Sequence, residues 1–107
     1  MSSGAPVYVG VMSVRFDTPF VRSLKEKRSL IKPVTEGLKV RFPVSVARLD
    51  GLNAHDWERI GVAGIAADPV WLRGMLDRAL EFAASKGVPI SESWVEIDVW
   101  DGFESQP

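Results

Sequence analysis

Residues 57–87, WERIGVAGIAADPVWLRGMLDRALEFAASKG, contain a strand, a cap and a helix in one run. The first eleven residues are apolar at both parities, the pattern of a strand covered on both faces. Asp68 and Pro69 then open a helix: aspartate accepts a free amide as N-cap, and proline at the first helical position gives up a donor that has no partner there. Leu72, Leu76, Ala79, Leu80 and Ala83 recur at helical spacing and define one apolar face. Lys86-Gly87 closes the element.

Working outward, the same grammar repeats on both sides. Residues 89–100 read as a further strand, with Val95, Ile97 and Val99 at one parity and Trp94, Glu96, Asp98 and Trp100 at the other. Upstream, residues 44–49 form a short strand, joined to the next by the polar turn sequence from Asp50 to Asp56. Residues 7–16 are rich in β-branched side chains and apolar at both parities, so they predict a central strand. Between them, Ser23-Leu24-Lys25-Glu26 fits a capping box, followed by a stripe of Leu24, Leu30, Ile31, Val34 and Leu38. Pro33 interrupts that stripe and predicts a kink, or a short turn before a helix starting near Ser29.

The order strand, helix, strand, strand, helix, strand is that of an α+β, ferredoxin-like βαββαβ fold. Two right-handed βαβ units build a four-stranded antiparallel sheet with both helices on one face. The expected organisation is an N-terminal tail over residues 1–6, one domain over 7–100 and a C-terminal tail over 101–107.

Composition agrees with one folded domain: 107 residues, 46% hydrophobic and 25% charged. With no cysteine and one histidine, disulfides and thiolate metal sites are excluded, and no metal or other cofactor is expected. Met1 to Pro6 lacks a basic segment followed by an apolar run, so no signal peptide is expected. No apolar stretch nears the roughly 20 residues that span a bilayer, which predicts a cytoplasmic protein with no membrane partner.

Catalytic signatures are sparse. His55 beside Asp56 reads as a solvated loop residue, with general base or metal ligand as the sharper alternative. Asp50, Asn53 and Asp56 lack the calcium-loop spacing. No phosphate-binding glycine loop occurs, and Ser91 and Ser93 sit in no nucleophile motif. The chain is therefore expected not to be an enzyme.

Charge is the stronger signal. Nine bases and three acids lie between Arg15 and Arg48, while the rest of the chain carries four bases and eleven acids, so a net charge of −1 conceals +6 against −7. Arg22, Lys25, Lys27, Arg28 and Lys32 crowd one helix start. Lys25, Arg28 and Lys32 share a face, where like charges repel unless something compensates. A phosphate backbone would compensate; a solvated helix face is the alternative. The sheet face away from the helices is expected to carry Tyr8, Met12, Trp94 and Trp100, unless the first strand's register turns its opposite set outward. Exposed aromatics there fit a protein contact better than base stacking, because Glu96 and Asp98 between the tryptophans would repel phosphate, and a homodimer through this face or through a sheet edge is expected.

The run Arg22-Ser23-Leu24-Lys25-Glu26-Lys27-Arg28-Ser29 resembles the YlxP-like family of small bacterial proteins of unknown function. Val9-Gly10-Val11, Phe42-Pro43-Val44-Ser45-Val46-Ala47, Asp56-Trp57-Glu58-Arg59 and Gly61-Val62-Ala63 extend the likeness over residues 7–100. The resemblance implies a ferredoxin-like fold without an established activity. It also implies association with RNA or the ribosome, because such genes often lie near translation and ribosome-assembly genes. A homo-oligomeric scaffold or small-ligand regulatory domain without nucleic acid is the alternative.

Overall fold

The computed structural model describes residues 6–101. The expected tails thus fall, apart from Pro6 and Asp101, outside the described residues. Six elements follow in the expected order: β1 (Val7–Asp17), α1 (Leu24–Arg41), β2 (Ser45–Asp50), β3 (Trp57–Ala66), α2 (Pro69–Ala84) and β4 (Ile90–Trp100). The strands form one antiparallel sheet in the order β2-β3-β1-β4, with both helices on one side: a ferredoxin-like α+β fold.

Asp68 caps α2 as its sequence requires, its carboxylate accepting from the amides of Val70 and Trp71 at 2.9 and 3.3 Å. α2 buries Leu72, Met75, Leu76, Ala79 and Ala83 over the centre of the sheet. At Gly10 of β1 the fit leaves no room for a side chain, since a Cβ there would lie 2.5 Å from Leu76 Cδ1.

That contact decides which way β1 faces. Gly10, Met12, Val14 and Phe16 point at the helices, and Met12 is 0% exposed. Tyr8 shares that side and packs partly buried against the core. The expectation that Tyr8 and Met12 line the open face is therefore corrected. Both parities of β1 are apolar, and only docking of α2 picks between them.

α1 runs unbroken from Leu24 to Arg41, with Pro33 inside it. This overturns the expectation of a turn and a late start near Ser29. Pro33 and Ser29 are both on the exposed side, so the carbonyl that loses its helical donor faces water. The capping box is also shifted. Ser23 Oγ accepts from the Glu26 amide at 3.0 Å, but Glu26 Oε1 accepts from Arg22 N at 2.7 Å, one residue earlier than the motif implies.

Candidate nucleic-acid interface

The basic cluster at the start of α1 divides into two groups. Arg22, Lys25, Arg28 and Lys32 are exposed, and none of them forms an ion pair among the described residues. Lys27 is the exception and a correction. Its side chain is 1% exposed, so it cannot reach an external phosphate. The reason is helical spacing: Lys27 lies four, seven and eleven residues before Ile31, Val34 and Leu38, on the stripe that α1 buries.

A cation in that position needs partners, and the fold supplies them. The ammonium donates to the carbonyls of Gly51, Ala54 and Trp57 and lies 2.9 Å from Glu58 Oε1. Gly51 turns the chain at φ 75°, a left-handed geometry suited to glycine, which helps wrap the loop from β2 around the lysine. Thr18 anchors the loop from the other side, donating through Oγ1 to the His55 carbonyl at 2.8 Å and through its amide to Asp56 O. The polar loop thus acts through its backbone, while the side chains of Asp50, Asn53, His55 and Asp56 are exposed. Among the described residues no group of three or more potential ligands gathers to hold a metal ion.

Glu58, also 1% exposed, is bound from its other side by Arg48. The guanidinium donates through Nε and Nη2 to both carboxylate oxygens, at 2.6 and 2.9 Å, in the fork geometry that suits arginine. Burial pushes the Glu58 carboxyl up, but the hydrogen bonds from Arg48 and Lys27 outweigh it and hold the group below the usual glutamate range. Hydrogen bonding to Glu58 in turn raises Arg48. Glu58 was legible from parity, because it shares the inward face of β3 with Ile60 and Val62. Its arginine partner lies diagonally across β2–β3, next to Ile60, and needs the register to be found.

Arg48 lies on the inward face of edge strand β2, the strand over which α1 passes. A cavity of about 260 Å³ lies between helix and strand, lined by the charged Arg28, Lys32, Glu36 and Lys39 of α1, Arg48 of β2 and Glu58 of β3, and by Ile31, Thr35 and Val46.

No helix among the described residues covers the opposite sheet face. Trp94 and Trp100 are 50% and 46% exposed there, with Val11, Leu49 and Ile65 also exposed. Arg59 spans this face. It donates to Ser13 Oγ and to Glu92, and its guanidinium sits 5.3 Å from the Trp94 ring centre.

The class is thus a ferredoxin-like α+β domain with a basic helix, a buried carboxylate held by two cations and a second sheet face that carries exposed tryptophans. Residues 9–92 match the family model described as Protein of unknown function (DUF503), and the chain belongs to that family. No curated protein matches it. Among solved structures it is similar to the de novo designed protein Foldit4, at 19% identity and a TM-score of 0.47, over 88% of this chain and 96% of that one. No helix among the described residues is long and apolar enough to cross a membrane.

Proposed function

We propose that this protein is a non-enzymatic, cytoplasmic binding module for structured RNA, on the ribosome or its precursors, with Arg22, Lys25, Arg28 and Lys32 on the phosphates. One observation carries the reading. These four bases stay exposed and, among the described residues, without an ion-pair partner, although the remainder of the chain has a surplus of acids. Like charges three and four residues apart destabilise a helix slightly, so a surface that keeps them fits an external anion. The resemblance of residues 22–29 to YlxP-like proteins points the same way. Four phosphate contacts give a slope of about −3 in log affinity against log salt. Fluorescence anisotropy with ribosomal RNA fragments tests this. Lys25→Glu with Arg28→Glu lowers affinity alike for all sequences; unchanged binding by that variant overturns the reading.

The open sheet face supports a second element, a homodimer. Trp94, Trp100, Val11 and Ile65 form an exposed apolar surface on one side of the sheet, and such surfaces on small domains mark contacts. Light scattering at micromolar concentration checks it. A dimer mass that falls to a monomer in Trp94→Gln, Trp100→Gln is expected, and a wild-type monomer mass rejects the dimer.

A further inference from the structure

We infer that the groove between α1 and β2 is a seat for one phosphate-bearing group, with Arg48, Arg28 and Lys32 as its contacts. The argument starts from charge. Lys27, Arg28, Lys32, Lys39 and Arg48 surround Glu36 and Glu58, which leaves +3 in and directly behind one small cavity. Glu36 is matched by Lys39 at 3.3 Å. At the floor, two cations share the single charge of Glu58, so one positive charge remains uncompensated beside a buried carboxylate.

Arg48 is held in place for recognition. Nε and Nη2 are committed to Glu58, which fixes the guanidinium plane, while Nη1 has no partner among the described residues. Its side chain is 37% exposed, so part of it remains open to solvent. Arg28 and Lys32 stand one turn apart on the wall, and neither has an ion-pair partner among the described residues. A pre-oriented guanidinium with two further cations matches a multiply charged tetrahedral anion better than a single carboxylate. The cavity, about 260 Å³, is below the usual 300–1,000 Å³ of sites that enclose drug-sized ligands, so it suits a phosphate or pyrophosphate and excludes a whole nucleotide.

Two sources share this chemistry: the phosphorylated end of an RNA chain and a free small phosphate. The first rests on the RNA reading above; the second does not. The test is an amide-resolved NMR titration of the full chain with inorganic pyrophosphate, against chloride at equal ionic strength. Saturable shifts are expected at Arg28, Lys32, Val46 and Arg48, with a midpoint below millimolar. Arg28→Gln with Lys32→Gln, two exposed positions that leave the fold intact, weakens binding at least tenfold. Lys25→Glu, outside the groove, leaves pyrophosphate binding unchanged while it weakens RNA. Absence of saturable shifts, or shifts indifferent to the double variant, overturns the groove and leaves the RNA reading standing. Pyrophosphate binding by a protein whose RNA affinity ignores charge reversal keeps the groove and removes that reading. A 5′-phosphorylated RNA hexamer that binds at least fivefold tighter than its 5′-hydroxyl counterpart assigns the seat to RNA ends; equal affinities assign it to a free phosphate.

Discussion

Helices α1 and α2 cover the same sheet by different means. α2 does it with hydrocarbon alone: Leu72, Met75, Leu76, Ala79 and Ala83 lie on β1 and its neighbours with no ion beneath them. α1 buries Ile31, Val34 and Leu38, but its first turns dock through Lys27, whose charge is answered by Glu58, two loop carbonyls and the carbonyl of Trp57 at the start of β3. Hydrocarbon packing is non-directional and tolerates repacking. An ion with four fixed partners tolerates little, but it locks one arrangement of helix, loop and strand. The charged end is also the end where the groove and the exposed bases lie. The interactions that position a candidate site are thus separate from those that supply most of the core.

The largest expected effect comes from breaking the charged end. Lys27→Met keeps the aliphatic stem and removes the ammonium, leaving three carbonyls without their donor and Glu58 with Arg48 alone. Breaking one partner out of a buried pair costs about 3–5 kcal/mol, read by urea unfolding at pH 7. The pH dependence sharpens this. Glu58 is held below its ordinary range in the folded protein, so its contribution is full above the unfolded value of about 4.3 and is lost as pH falls through the folded value. Wild-type stability should therefore drop in acid. The Lys27→Met penalty should shrink below about pH 4, because a protonated Glu58 no longer attracts the lysine. A penalty constant from pH 7 to pH 3 would show that Lys27 acts by packing and by its carbonyl contacts, not by charge.

Leu76→Ala is the matching break at the apolar end. Leu76 is fully buried, and truncation there should cost about 2–5 kcal/mol, as lost transfer energy plus the cavity left behind. The same urea experiment at pH 7 and pH 3 should give equal penalties, since no titrating group touches the change. If the Leu76→Ala penalty also shrinks in acid, the two ends are coupled and the division drawn here fails.

The two ends were also unequally legible. α2 was plain from Asp68, Pro69 and one stripe, because cap chemistry and helical spacing are local properties; only Met75 was missing from its buried face. β1 was found as a strand but not oriented, since Tyr8, Met12 and Phe16 and the opposite Val7, Val9 and Val11 are equally apolar. At the charged end, Lys27 lay in phase with Ile31, Val34 and Leu38, yet a run of bases reads first as a surface. Its neighbours Arg22, Lys25, Arg28 and Lys32 are indeed exposed. Arg48 and Glu58 could not be paired from sequence, because a register shift between Arg48 and Asp50 sets which residues meet across β2–β3. Local rules thus read what is held by hydrocarbon and periodicity, and fail where a contact depends on register.

The smallest expected effect tests whether α1 carries a flaw that its charged anchor tolerates. Pro33 sits in the middle of an 18-residue helix, on its exposed side, without the amide that would reach the Ser29 carbonyl. Proline within a helix is about 3 kcal/mol less favourable than alanine. Part of this is offset because proline restricts the unfolded chain by up to about 1 kcal/mol. Pro33→Ala should therefore stabilise the protein by about 2 kcal/mol, raising Tm by roughly 10 °C for a domain of this size. Thermal unfolding followed by circular dichroism measures it. The gain should persist at pH 3, because it comes from backbone hydrogen bonding and not from Glu58. No gain would mean that solvation of the Ser29 carbonyl already replaces the missing bond. The uninterrupted helix would then need no help from Lys27 to accommodate its proline.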